Sequence, residues 1–252
     1  MIETTIIEEK SVKMKNPILI EGLPGIGLVG KIAADHMIAE LKAERVAQII
    51  SPHFPHQVIM QKNGVMRMIK NRIFLVRGKK NDLLILVGDV QAVTSEAQYE
   101  VTGKMLDYCQ RKGVKLVITL GGYGTGKVHE KPRVFGIVSN KPMIEEYKKF
   151  GVIFGESRGS IIGAAGLLLG LGKLRKMPGV CLMGETHGGF VDPKSAQSLL
   201  EVLCKILEIK VDSKKLDARA KESESFAKKM EKEAMAAKGM QMGGKHDLSY
   251  IR

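Results

Sequence analysis

The segment at residues 22–31, GLPGIGLVGK, carries glycines at the spacing of loops that bind phosphate. Gly25, Gly27 and Gly30 form a G-x-G-x-x-G pattern, and together with Lys31 the segment also matches G-x-x-x-x-G-K. Glycines in such loops let backbone N–H groups approach a phosphate at the positive end of a helix. The sequence therefore offers Gly25, Gly27, Gly30 and Lys31 as candidate anion-binding residues.

Neither phosphate motif is complete in its side chains. The G-x-x-x-x-G-K loop needs a Ser or Thr after its Lys to hold magnesium, and here Ile32 follows. The dinucleotide motif needs an acid about twenty residues further on for the ribose, where this chain has QIISP at residues 48–52. Two interpretations stay open: ordered binding of an anion, or glycines that only permit tight packing of a strand against a helix.

A second motif, GESRG at residues 155–159, matches the G-x-S-x-G turn that exposes a nucleophilic serine between a strand and a helix. A hydrolase of that kind needs an acid and then a histidine after Ser157. Glu185 and His187 have the right order, but two residues apart in one segment they are poorly placed to align with each other. We therefore predict no catalytic residue.

Glu185, His187 and Asp192 could instead form a metal or acid–base cluster. The alternative is that Asp192, which precedes a proline, caps a helix while the other two side chains are solvated. The HFPH segment at residues 53–56 has a metal-like spacing, but its proline prevents a helix and no third ligand is near. The sequence predicts neither a metal site nor a cofactor.

Strand patterns alternate with helical patterns along the chain, with helices predicted at residues 28–41, 95–111 and 160–171 and from Asp192. Four strands run into glycine-rich corners that lead to helices. This order predicts an α/β fold of three layers, a mostly parallel sheet with helices on both faces, and a C-terminal helical tail. The corners should gather at the carboxyl edge of the sheet, where such folds bind their ligands.

Residues 57–69 alternate around Asn63-Gly64, which is a strong signal for a β-hairpin. We expect this hairpin to add antiparallel strands at one edge of the sheet. The methionines at positions 60, 66 and 68 are then core or subunit-contact residues rather than a cofactor site.

The composition divides the chain into a core domain, residues 1–211, and a charged helical and flexible tail, residues 212–252. The longest apolar run, residues 161–172, is too short to span a membrane, and three scattered cysteines fit reduced thiols in a cytoplasmic protein. The net charge of +13 comes from dispersed lysines in a chain without Trp. This indicates a solvated basic surface rather than nucleic-acid binding.

Three features carry a family resemblance: the first corner at residues 22–31, the TLGG strand ending at 119–122 and the small-residue helix IGAAGLL at 162–168. Through them, residues 15–208 resemble the archaeal branch of the proteasome assembly chaperone family, the type related to the second eukaryotic assembly chaperone. That family is often labelled ATP-grasp-like, but the nucleotide-binding acids and lysines of ATP-grasp ligases are not identifiable in this sequence.

The resemblance implies a non-enzymatic chaperone or adaptor that forms a homo-oligomer, a tetramer or pentamer, and binds proteasome α-subunits. In the family the contact is a C-terminal hydrophobic–Tyr–any tripeptide, which makes Leu248, Tyr250, Ile251 and Arg252 the partner-docking residues here. Tyr250 stands third from the end rather than second, so a looser docking mode or another partner is also open. The alternative function is a small-molecule or nucleotide-binding enzyme that uses the glycine-rich corners.

Overall fold

The computed structural model of the chain describes residues 3–155, 159–214 and 216. Its strands are β1 (Thr5–Glu8), β2 (Ile18–Gly22), β3 (Glu44–Ile50), β4 (Val58–Met60), β5 (Met66–Met68), β6 (Asn71–Val76), β7 (Leu83–Gly88), β8 (Leu116–Gly124), β9 (Val134–Val138) and β10 (Gly179–Thr186). Its helices are α1 (Val29–Glu40), α2 (Ser95–Arg111), α3 (Met143–Lys148), α4 (Ala164–Leu174) and α5 (Pro193–Leu207).

Eight strands form one central sheet in the order β1-β3-β6-β7-β2-β8-β10-β9. The four central strands, β7, β2, β8 and β10, are mutually parallel. Strands β6, β3 and β1 continue the sheet antiparallel on one side, and β9 closes the other side antiparallel to β10. The predicted α/β class with a large central sheet is confirmed.

Helices cover both faces of the sheet, and β2 shows why. Leu19 packs into the core cluster that includes residues of α2 and α4, whereas Ile18 and Ile20 pack into the cluster of α1 and α5. A strand buried on both faces reads as a continuous apolar run, and all five residues of β2 are buried. The predicted three-layer arrangement follows from this double burial.

Side-chain caps mark the start of two helices. Thr94 accepts a hydrogen bond from the Ala97 N–H at the start of α2. Asp192 accepts one from the Ser195 N–H at the start of α5, as the capping alternative predicts. Helix α4 begins at Ala164 rather than at Ser160. Gly163 has a positive φ of 88°, a conformation outside the right-handed helix, so the helix starts only after it.

The predicted hairpin forms around Asn63-Gly64, with Gly64 at a φ of 81°. It is a two-stranded sheet of its own, β4 with β5, and does not extend the main sheet. The antiparallel edge is built instead by β6, β3 and β1. The expectation that the hairpin itself adds strands to the edge of the main sheet is therefore wrong.

The chain packs back onto the body after α5. Leu216 is fully buried in the cluster of α1 and α5, and the His36 Nε2 lies 2.6 Å from the backbone oxygen of Asp212. The predicted tail residues Leu248, Tyr250, Ile251 and Arg252 lie outside the described residues, as does Ser157. The division of the chain at residue 212 stays a prediction. No helix among the described residues is long and apolar enough to cross a membrane.

Candidate functional site

The parallel strands bring their carboxyl ends to one edge of the sheet, hereafter the carboxyl edge. Gly22 of β2, Gly88 of β7, Gly124 of β8 and Thr186 of β10 end there. Strands β8 and β10 pair along their whole length up to this edge, with Gly122 opposite Gly184 and Tyr123 opposite Glu185. The corners at residues 22–31, 121–126 and 184–189 are therefore neighbours in space, as predicted. The corner at residues 155–159 lies partly outside the described residues.

The glycines of the first corner permit close packing of α1 on the sheet. A Cβ on Gly30 would lie 2.2 Å from the Leu120 carbonyl oxygen, and a Cβ on Gly22 would lie 2.5 Å from the Ala34 Cβ. Gly27 has a φ of 61° in the short 3-10 turn that precedes α1. Gly25, by contrast, has open space around its Cβ position. Three of these glycines thus have a packing or conformational reason to be glycine.

Lys31 does not reach back toward the corner. Its Nζ lies 2.6 Å from the Asp35 carboxylate, one turn further along α1. The corner is tied to α5 instead, because the Gly27 carbonyl accepts a hydrogen bond from the Asp192 N–H at 2.9 Å. The contacts described for Gly27, Gly30 and Lys31 are those of packing and of an ion pair, and anion binding at this corner stays a prediction.

Glu185 lies at the carboxyl edge as the buried half of an ion pair with Arg133. Its Oε1 accepts from the Arg133 Nη2 at 2.8 Å and its Oε2 from the Arg133 Nε at 3.1 Å. The His129 Nδ1 is 3.6 Å from the same carboxylate. The hydrogen bonds of Arg133 outweigh the effect of burial and hold the pKa of Glu185 below its usual value. The expectation that Glu185 is solvated is therefore wrong, since only 2% of its side chain is exposed.

The other two members of the predicted cluster face different partners. Asp192 caps α5 and accepts a hydrogen bond from the Thr186 hydroxyl at 2.6 Å, which confirms the capping alternative. The His187 ring stacks on Phe190 with 4.8 Å between centroids. Among the described residues, no group of three or more His, Cys, Asp or Glu could hold a metal ion.

A cavity of about 600 Å³, which no sequence pattern had indicated, lies at the carboxyl edge on the α2 and α4 side of the sheet. Its floor includes Glu21 at the end of β2 and Cys181 of β10. Glu21 is 1% exposed, and burial raises its pKa to about 8, although one hydrogen bond from the Leu23 N–H opposes this. The sequence signal that could have indicated this cavity is Glu21, a charged residue within the apolar pattern of a buried strand.

Gln91 ties the walls of this cavity together. Its Nε2 donates to the Pro24 carbonyl at 2.7 Å, and its Oε1 accepts from the Ala164 N–H at 2.9 Å and from the Gln98 Nε2 at 3.2 Å. A Cβ on Gly163 would lie 2.5 Å from that Oε1. One amide thus joins the first corner to the starts of α2 and α4 and sets the shape of the cavity.

The hairpin carries an exposed apolar patch, hereafter the hairpin surface: Val58, Met60, Val65, Met66 and Met68. Met60 is 88% exposed. The hairpin is held to the body by Arg67, whose Nη1 and Nη2 lie 2.5 and 3.0 Å from the Asp89 carboxylate beyond β7. An exposed apolar patch whose position is fixed by such an ion pair is typical of an interaction surface.

Solved structures of known proteins share this architecture. The chain aligns with the proteasome activator PbaB of Pyrococcus furiosus at 44% identity and a TM-score of 0.87, over 92% of this chain and 100% of that one. It aligns with PbaA of the same organism, an archaeal homologue of the proteasome-assembly chaperone, at 27% identity and a TM-score of 0.76, over 99% and 100% of the two chains.

The sequence comparisons agree with the structural ones. The uncharacterized protein MJ1210 of Methanocaldococcus jannaschii is 36% identical over 241 residues, which cover 94% of this chain and 93% of the relative. The sequence pattern of the PAC2 family matches residues 19–231, so it covers both the glycine corners and the cavity. On these matches, the chain is a member of the PAC2 family.

Proposed function

We propose that this chain is a non-enzymatic, homo-oligomeric adaptor of the proteasome, with the role of an assembly chaperone or an activator. The observation that carries the proposal is the alignment at 44% identity with the whole of PbaB, a proteasome activator. The likeness to PbaA, a homologue of an assembly chaperone, supports the same class of partner. The buried carboxylates and glycine corners of the body need no catalytic role in this function.

The hairpin surface is the part of the body best suited to self-association. Its five apolar side chains lie on the hairpin, whose two-stranded sheet is separate from the main sheet. The Arg67–Asp89 ion pair holds the hairpin to the body. Burial of large apolar side chains between copies contributes roughly 1.5–3 kcal/mol each. A second copy of the chain is accordingly the partner proposed for this surface.

The C-terminal residues Leu248, Tyr250, Ile251 and Arg252 are proposed to dock on proteasome α-subunits. Support for a fixed starting point of this segment comes from Leu216, which is anchored in the core beside α1 and α5. In an oligomer each copy would start its tail from the same place on the body. Several weak contacts made together can then give useful affinity, since linked binding events raise the effective concentration.

The docking proposal is tested by pull-down with purified proteasome. Deletion of residues 248–252 should abolish retention and leave the oligomeric state unchanged in sedimentation velocity. Ser249→Ala serves as the matched control and should bind as the full chain does. Unchanged retention of the truncated chain would contradict tail docking. Peptidase assays and assembly assays with the full chain then separate an activator from an assembly chaperone.

Self-association is tested on the hairpin surface. The double substitution Met60→Lys and Met68→Lys should shift the protein to smaller species in sedimentation velocity, because it places charges where apolar contact is proposed. Lys62→Glu, in the turn of the same hairpin, changes charge without removing apolar area and should keep the wild-type oligomer. An unaltered oligomer in the double variant would place self-association on another surface.

Anion binding at the first corner is tested separately, by thermal melting. If Gly25, Gly27, Gly30 and Lys31 bind an anion, phosphate or ATP should raise the melting temperature of the full chain, and Lys31→Ala should remove that shift. Asp35→Ala is the control, since it breaks the Lys31 ion pair and leaves the lysine free. The absence of any shift would leave packing as the role of these residues.

A further inference from the structure

The cavity at the carboxyl edge combines an apolar wall with one buried oxygen atom, the Glu21 Oε2, that has no hydrogen-bond partner among the described residues. Its wall includes Leu23, Leu120, Ile161 and Met183, and its volume of about 600 Å³ lies within the range of small-molecule sites. The Glu21 Oε1 accepts from the Leu23 N–H at 2.9 Å, whereas Oε2 has no hydrogen-bond partner among the described residues. A buried polar atom without a partner is costly and marks a place where a ligand can complete the hydrogen bonding.

The charges around the cavity restrict what it can take. No Lys, Arg or His lines it among the described residues, and the other titratable side chains in its lining are Cys181 of β10 and Tyr123 of β8. Burial raises the pKa of Cys181 to about 12, so this thiol is neutral. An anion would find no counter-charge on these described lining residues, and its desolvation cost would be large. Phosphates and nucleotides therefore do not suit this cavity.

We propose that the cavity binds a small neutral molecule with an apolar body and a carbonyl oxygen, which accepts a hydrogen bond from the protonated carboxyl of Glu21. The raised pKa of Glu21, about 8, supports the protonated form near neutral pH. Because Oε1 already accepts from Leu23, the proton belongs on Oε2, the atom that lacks a partner. None of its described lining residues belongs to the hairpin surface, and its test does not involve the tail, so the result is independent of the proteasome proposal.

The cavity keeps its shape without a ligand. Gln91 bonds to three surrounding elements, and Gly163 leaves room for its Oε1. A site that buried hydrogen bonds already hold in shape loses little conformational entropy when a ligand binds. Ile26 and Ile162 are exposed residues at the rim, and they give an apolar body further contact area at the opening.

The test uses the full chain and three probes of similar shape: benzamide, benzoate and toluene. In saturation-transfer NMR titrations at pH 6.5 we expect saturable binding of benzamide, and weaker binding of toluene, which lacks the oxygen, and of benzoate, which carries a charge. At pH 9.5 the apparent affinity for benzamide should fall roughly 30-fold, in proportion to the remaining protonated fraction of Glu21.

Two variants make the result specific to this cavity. Glu21→Gln keeps an N–H donor and an acceptor for Leu23, so it should bind benzamide equally at both pH values. Gly121→Val should abolish binding, because its side chain fills a position where the nearest neighbour, the Met183 Cγ, is 3.8 Å from the added Cβ. A thermal melt checks that both variants fold. The proposal is overturned by a lack of saturable binding, by binding that survives Gly121→Val, or by an equal preference for benzoate.

Discussion

Two buried glutamates at the same edge of the sheet have opposite electrostatic environments. Glu21 and Glu185 are the next-to-last residues of β2 and β10, and their exposures are 1% and 2%. The pKa of Glu21 is raised to about 8, whereas the pKa of Glu185 is lowered. The difference is the partner: Glu185 accepts hydrogen bonds from the Arg133 guanidinium, and Glu21 accepts one from a backbone N–H.

The comparison shows that burial alone does not define the role of a carboxyl group. Glu185 ties β10 to Arg133 at the start of β9, so it acts as a structural link at the rim of the sheet. Glu21 has no ionic partner among the described residues and lies against a cavity. A neutral, incompletely bonded carboxyl is suited to meet a ligand, whereas a paired carboxylate is already occupied.

The largest expected effect comes from removing the partner of Glu185. Arg133→Met should lower the free energy of unfolding by about 3 kcal/mol at pH 7, because it leaves a buried carboxylate without its counter-charge. Urea unfolding followed by circular dichroism measures this. The double variant Arg133→Met and Glu185→Gln should recover most of the loss. A single variant as stable as the wild type would remove the contrast between the two glutamates.

A smaller effect of opposite sign is expected for Glu21→Gln. The folded chain holds a proton on Glu21 between its unfolded pKa of 4.5 and its folded pKa of about 8, so the stability of the wild type falls as pH rises through this window. The amide cannot ionise. We expect the variant to gain on the order of 2 kcal/mol over the wild type at pH 6 and nothing at pH 4.

Urea unfolding at several pH values tests this prediction. Glu185→Gln is the matched control, because the lowered pKa of Glu185 gives stability that is present above pH 4.5 and lost as pH falls below it. The free energy of unfolding relative to the wild type should therefore rise with pH for Glu21→Gln and fall with pH for Glu185→Gln. Parallel curves would contradict the assignment of a neutral Glu21.

The smallest effect concerns the third member of the Glu185 network. The His129 Nδ1 is 3.6 Å from the carboxylate, and its Nε2 is 2.7 Å from the Thr125 hydroxyl. His129→Asn should cost less than about 1 kcal/mol at pH 7, as is usual for partly exposed ion contacts. Urea unfolding at pH 7 measures this loss. A loss of unfolding free energy as large as that of Arg133→Met would instead make His129 the main partner of Glu185.

Local signals predicted much of the fold. The helix predicted at residues 95–111 has the same bounds as α2, and the Thr94 cap gives the physical reason for its start. In contrast, residues 121–124 fall in one of the four glycine-rich corners, which the sequence places after the ends of the strands. They continue β8 instead, because pairing with β10 holds them extended. A Cβ on Gly122 would lie 2.4 Å from the Ile26 carbonyl oxygen, so the glycine serves packing rather than a turn.

The site residues were harder to predict because they depend on contacts between distant segments. Arg133 and Glu185 are 52 residues apart, and Gln91 meets Pro24 and Ala164 across 67 and 73 residues. No periodicity or spacing encodes such pairs. The Asp192 cap, in contrast, was predictable because its partner, the Ser195 N–H, lies three residues away.

The first strand of the sheet has a consequence for behaviour at high concentration. β1 has only four residues, and its last residue, Glu8, forms an ion pair with Lys112 of the segment after α2. A short edge strand that ends in a charged residue is a poor template for the backbone of another molecule. Crowded copies of this protein should therefore not extend the main sheet from one molecule to the next through β1.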